Sequence, residues 1–137
     1  MFNVVLDTNI VLSSIYSKSP YHFILKQLFD GKFKLIVSTE ILLEYEEKKS
    51  TIFSPKLSEL FISALMLNSN VVKTETFFDL NLITQDADDN KFVNCAFAAN
   101  AHFLVSNDKH FNVLRTIDFP QIKLLNIDEF VEVLRAN

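Results

Sequence analysis

Glycine, cysteine and proline are scarce in this sequence. Its 137 residues include one glycine, Gly31, one cysteine, Cys95, and three prolines. A P-loop or a dinucleotide fingerprint needs several glycines, so that backbone N–H groups can approach phosphates closely. Neither motif exists here, and any phosphate must be handled by side chains or by a metal ion. Cys95 stands alone in an apolar run, so no intramolecular disulfide can form, and a reducing, cytoplasmic compartment is expected. The opening segment, MFNVVLDTN, lacks the basic region and the longer apolar stretch of a signal peptide. No apolar run approaches the roughly 20 residues that span a bilayer, so no membrane association is expected. Basic charge is also in deficit: the formal net charge is −4 and the isoelectric point about 5.3. That argues against a simple basic nucleic-acid surface. A site that collects cations can still reverse the local field.

Apolar mass is plentiful. Hydrophobic residues make up 49% and charged residues 22%, enough for one core without a disulfide or structural metal. Repeats, low-complexity segments and linkers are absent, so a single domain over 1–137 is expected. Phe2 to Leu6 reads as a strand ending at Asp7, and Thr8 to Ile15 as a helix. Ser19-Pro20 and Ser54-Pro55 both read as helix starts, with Ser as cap and Pro in the first turn. Gly31 is placed to end the first of these helices. Leu35 to Val37 reads as a strand, followed by a helix capped by Ser38 or Thr39. The helix after Pro55 carries a wide apolar face, Leu57, Leu60, Phe61, Ala64, Leu65 and Leu67. Val71-Val72 is a third strand. Residues 75 to 87 read as a loop anchored by Phe77-Phe78, and Asp88 or Asp89 starts a helix running to about Ala101. Phe103 to Val105 is a strand, Lys109 to Leu114 a short helix, Lys123 to Leu125 a strand and Asp128 to Leu134 a last helix. Alternation of helices with strands that are apolar throughout predicts an α/β fold with a parallel sheet covered on both faces.

A fold of that kind places its site beyond the C-terminal ends of the strands. Carboxylates collect there. Asp7 follows the first, central strand. Glu40, Glu44 and Glu47 share one face of the helix after strand two, and spacing alone does not choose among them. Asp86, Asp88 and Asp89 put three charges into four residues, more than a helix cap requires. Asp108 lies three residues after Val105, where Ser106 and Asn107 compete with it as caps. Hard oxygen ligands without paired His or Cys suit Mg²⁺ or Mn²⁺. Such an ion lowers the pKa of a water, orients it for in-line attack on phosphorus and stabilises the departing oxygen. His22 and His102 read as structural, and His110 shows no ligand pairing.

The strings VVLDTNIVLSSI (4–15), STEILLEYEE (38–47), DADDNKFVNCAFAANAHFLVSNDKHF (86–111) and KLLNIDEFVEVL (123–134) together resemble a PIN domain. The nearest resemblance is to the PIN-family toxins of toxin–antitoxin systems, the relatives of VapC. It covers nearly the whole chain, and the third string is the most specific. It implies a five-stranded parallel sheet sandwiched between helices, and it assigns Asp7, Glu44, Asp89 and Asp108 as the catalytic, metal-binding acids. It also selects Glu44 from its helix face. Asn9 matches the polar residue that orients the first aspartate, and Ser106 a hydroxyl close to the site. The implied activity is endoribonuclease cleavage with one or two Mg²⁺ or Mn²⁺ ions. The implied partners are an RNA substrate and a small antitoxin, and homodimers are common. Lys91, Lys109 and His110 are near enough in sequence to contact phosphate.

Other readings compete. A non-catalytic PIN domain that binds RNA or protein would share the fold. A receiver-type signalling domain needs an acidic pair after strand one, and Asp7 stands alone there. A haloacid-dehalogenase-type phosphatase needs a second acid two residues after its nucleophile, and that position is Asn9.

Overall fold

The apolar run that opens the chain becomes the centre of the sheet. In the computed structural model, which describes residues 1–50 and 54–137, β1 (Phe2–Leu6) lies between β2 (Phe33–Val37) and β4 (Phe103–Val105). Strands β3 (Val71–Lys73) and β5 (Leu124–Leu125) complete the order β3-β2-β1-β4-β5, and every pairing is parallel. Val4 and Val5 point to opposite faces and are both fully buried, so helices cover the sheet on both sides. The helices are α1 (Thr8–Ile15), α2 (His22–Phe29), α3 (Thr39–Ser50), α4 (Pro55–Leu67), α5 (Asn90–Ala98) and α6 (Ile127–Arg135). Two 3₁₀ segments, Ala87–Asp89 and Lys109–Thr116, precede α5 and β5. The chain winds outwards from β1 to β3, then returns to place β4 against the other side of β1. The direction of winding therefore reverses between β1 and β4, the position where parallel α/β sheets open a crevice.

Helix boundaries follow local chemistry. Ser54 caps α4 by accepting the Leu57 N–H at 3.3 Å, with Pro55 in the first turn. Ser38, not Thr39, caps α3, accepting the Ile41 N–H at 3.3 Å. Ser19-Pro20 differs from its counterpart. Ser19 Oγ accepts the Tyr21 N–H at 3.1 Å, a tight turn two residues long, and α2 begins only at His22. The apolar face expected on α4 is only partly used. Leu65 is buried, but Leu57, Leu60 and Leu67 are exposed. The helix packs one edge against α3 and β3 and leaves its other edge outside.

Gly31 ends α2 at φ +77°. Its N–H bonds to Leu28 O at 3.0 Å and the Lys32 N–H to Gln27 O at 2.9 Å, the paired bonds of a Schellman cap. Helix α5 ends in the same way without glycine. Asn100 takes φ 50°, its N–H bonds to Phe97 O at 3.1 Å, and the Ala101 N–H bonds to Ala96 O at 2.9 Å. This cap stops α5 short of the expected Ala101, since asparagine tolerates the left-handed region. A Cβ at Gly31 would sit 3.2 Å from Asn70 Nδ2, in a backbone conformation that side chains rarely adopt. Gly31→Ala should therefore cost about 1–2 kcal/mol, read as a lower urea midpoint with an unchanged slope. An unchanged midpoint would contradict this account of the α2 terminus.

Candidate active site

The site begins with a carboxylate that the fold buries. Asp7 continues β1 by donating its N–H to Val105 O at 3.0 Å, and its carbonyl accepts the Ile10 and Val11 N–H groups of α1. Its side chain does not cap the helix. Oδ2 instead accepts a 2.7 Å hydrogen bond from Ser106 Oγ, at the end of β4, so the pair bridges the crevice between the two strands. Asp7 is 6% exposed and Ser106 3% exposed. Burial raises the Asp7 pKa, the Ser106 hydroxyl opposes that rise, and the charges of Glu44 and Asp108 add to it. Two of the predicted acids thus act directly on the first.

Glu44 comes from α3, whose position is set by its neighbour Tyr45. The Tyr45 phenol is fully buried and donates to Leu6 O at 2.5 Å, one residue before Asp7. Burial first, then the charge of Asp7, holds the phenol pKa well above its ordinary value, so it remains a donor. With α3 fixed at that level, Glu44 Oε2 accepts from Thr8 Oγ1 and Oε1 lies 2.8 Å from Lys91 Nζ. Glu40 and Glu47, on the same nominal face, are exposed. Lys91 is therefore turned inwards onto Glu44, where the sequence suggested a phosphate contact, while Lys109 is exposed.

Asp89 stands where the 3₁₀ turn meets α5. Its carboxyl is pushed up to about 6, by burial first and then by the charges of Asp86, Asp7 and Asp108, with His110 opposing. Asp86 caps that turn by accepting the Asp88 N–H at 3.1 Å, while Asp88 is exposed. Asp108 caps the second 3₁₀ segment by accepting the His110 N–H at 2.9 Å, and its own N–H donates to Ser106 Oγ at 3.0 Å. Asn107 serves elsewhere, accepting the Ile127 N–H at 2.9 Å. The four acids Asp7, Glu44, Asp89 and Asp108 therefore come together at one end of the sheet. Asn9 is exposed, and the hydroxyl that holds Asp7 belongs to Ser106.

Thr8, outside the expected set, and His110, expected only as a phosphate contact, both touch the acids, and Asp86 joins them from the acidic run before α5. The His110 ring reaches Asp89 Oδ2 and Asp108 Oδ1, each 3.5 Å from Nδ1. Sequence gave no pairing partner for it because its neighbour Asp89 lies on another element. Phe77-Phe78 also divides. Phe78 packs edge-to-face on Phe97 at 5.8 Å, but Phe77 is 94% exposed. The loop is anchored instead by two buried amides of α5. Asn90 exchanges two 2.9 Å bonds with the backbone of Ile83, and Asn94 Oδ1 accepts the Leu80 N–H at 3.0 Å.

The raised Asp89 pKa sets a pH dependence. The folded protein holds this proton more tightly than the unfolded chain, whose carboxyl titrates near 3.8. The resulting stabilisation is fully present below pH 3.8 and is lost as pH rises through about 6. Asp89→Asn should remove that loss. With the shift discounted for solvent screening of a partly exposed group, the variant in EDTA should gain about 2 kcal/mol over the parent at about pH 7.5, and little at about pH 4. Denaturant curves at both pH values check this, and a gap that does not grow with pH would refute it.

The family model described as "PIN domain" matches residues 3–110. No curated protein sequence matches the chain. Among solved structures, the fold resembles a chain of VapBC2 from Rickettsia felis, solved bound to a DNA fragment from its promoter. The TM-score is 0.62 at 21% identity, covering 90% of this chain and 98% of that one. It also resembles a chain of DNA-bound VapBC from Salmonella typhimurium, with a TM-score of 0.57 at 14% identity, covering 93% of this chain and 99% of that one. The matched residues run from within β1 through all four clustered acids, and the chain belongs to the PIN domain family.

Proposed function

We propose that this protein is a divalent-metal-dependent endoribonuclease, the toxin of a toxin–antitoxin pair. The convergence of Asp7, Glu44, Asp89 and Asp108 at the β1–β4 crevice carries this reading. The donor set fits a hard cation. Its ligand atoms are carboxylate oxygens, and Asp89 Oδ2 is shut off from solvent without a hydrogen-bond partner. Burial first, and then the charges of neighbouring carboxylates, raise both the Asp7 and Asp89 pKa, so added positive charge is favourable there. Asp7, Glu44, Asp89 and Asp108 would hold Mg²⁺ or Mn²⁺, one ion or two.

A bound ion of this kind supplies activation of water and stabilisation of the departing 3′-oxygen. The chain's own residues prepare the place. Ser106 fixes the Asp7 carboxylate through Oδ2. Thr8 and Lys91 hold the two oxygens of Glu44. Asp108 is positioned by its own N–H, which donates to Ser106 Oγ, and by the His110 N–H, which its carboxylate accepts. The toxin assignment is supported by family membership and by the likeness of fold to chains of VapBC complexes, and it calls for a small antitoxin partner. Homodimerisation and a cytoplasmic setting accompany that assignment.

Asp7→Asn is nearly isosteric and keeps an acceptor for Ser106. It should leave far-ultraviolet circular dichroism unchanged and lower Mn²⁺-dependent cleavage of single-stranded RNA at least 100-fold. EDTA should abolish the parent activity. Full activity in the variant would reject the site, and a folded parent that cleaves no RNA with Mn²⁺ would leave a non-catalytic binding module.

A further inference from the structure

We propose that His110 is a nitrogen ligand to a divalent ion, acting with Asp86 and Asp89, and that it biases the centre towards first-row transition ions over Mg²⁺. The inference rests on the metal-dependent reading above and adds to it a donor of a different chemical kind. One ligand atom from each of Asp86, Asp89 and His110 lies within 4.8 Å of the other two. Ligands around a small divalent ion are separated by roughly 3 to 4.4 Å, twice the metal–ligand distance at most. The three groups therefore need little movement to close on an ion.

The unsatisfied atoms point the same way. Asp89 Oδ2 and His110 Nδ1 are both closed to solvent and have no hydrogen-bond partner. They face each other at 3.5 Å, without the alignment of a hydrogen bond. A buried polar pair left in this state calls for a missing third party, and an ion between two ligands supplies one. Each donor is also held by its backbone. Asp89 sits at the join of the 3₁₀ turn with α5, Asp86 is fixed by the Asp88 N–H, and the His110 N–H is fixed by Asp108. The imidazole is thus positioned by a residue that is itself an expected metal ligand.

Imidazole nitrogen is a poor ligand for Mg²⁺, which prefers oxygen and holds its waters, and a good one for first-row transition ions. The competing role is a plain counter-ion, a charged His110 lying between Asp89 and Asp108. The two roles differ in whether nitrogen touches the metal.

Pulsed electron paramagnetic resonance on the EDTA-stripped, full-length chain loaded with Mn²⁺ reads that contact directly. The expected result is ¹⁴N modulation of the Mn²⁺ signal that disappears in His110→Gln. Mn²⁺ affinity should fall about tenfold or more in that variant, and Mg²⁺ affinity less than threefold. Mn²⁺ bound by the parent with no ¹⁴N coupling, or with coupling that persists in the variant, would overturn the role of His110 and leave the acid site standing. No Mn²⁺ binding by the folded parent at millimolar concentration would overturn the metal-dependent reading itself. Absence of ¹⁴N coupling in the Mn²⁺-loaded parent decides against His110 by itself, whether or not the variant folds.

Discussion

The molecule is organised around one unfavourable act, the burial of the Asp7 carboxylate at the end of its central strand. An ionised carboxylate removed from water is costly unless it is hydrogen-bonded and compensated. Ser106 supplies the hydrogen bond, and the first turn of α1 contributes the positive end of a helix dipole. The surroundings then make the electrostatics harder, because Glu44, Asp89 and Asp108 are brought to the same place. Lys91 balances Glu44, and His110 stands between Asp89 and Asp108. Burial and then the remaining excess of negative charge push the Asp89 carboxyl up to about 6. Under the proposed function, a divalent cation would answer this excess and would let an acidic protein with a single glycine approach RNA.

Local signals in the sequence suffice where a residue's job is local. The apolar run before Asp7 gives β1 and α1 their observed limits, and Ser54-Pro55 starts α4. The same dipeptide at Ser19-Pro20 failed as a helix start, because Ser19 spends its acceptor on a turn two residues long. The end of α5 was misplaced because Asn100 does the work that the eye assigns to glycine.

The site was legible as a set of acids at strand ends but not as a set of contacts. Three glutamates share one face of α3, and periodicity treats them alike. What separates them is height along the helix axis. Tyr45, pinned to Leu6 O, sets that height, and only Glu44 then meets Thr8 and Lys91. The partners of Lys91 and His110 escape sequence spacing for a related reason. Glu44 and Asp89 lie on other elements, and no spacing rule reaches across the fold. The family resemblance picked out the four acids and the Ser106 hydroxyl by position; the partners of the Lys91 ammonium and the His110 imidazole are visible only in the geometry.

The order of the strands also has a temporal side. The central strand is synthesised first, and its neighbour β4 only after β2 and β3 have been made. Until then one edge of β1 has no partner, and the Asp7 carboxylate lacks a hydroxyl that lies 99 residues further along. Glu44 reaches its ammonium only when α5 has formed, and Asp108 arrives last of the four acids. A growing chain therefore carries the pieces of the centre without the centre. In a protein whose proposed substrate is RNA, emerging from a ribosome made largely of RNA, assembly of the site late in the chain delays the activity until the fold that contains it is nearly complete.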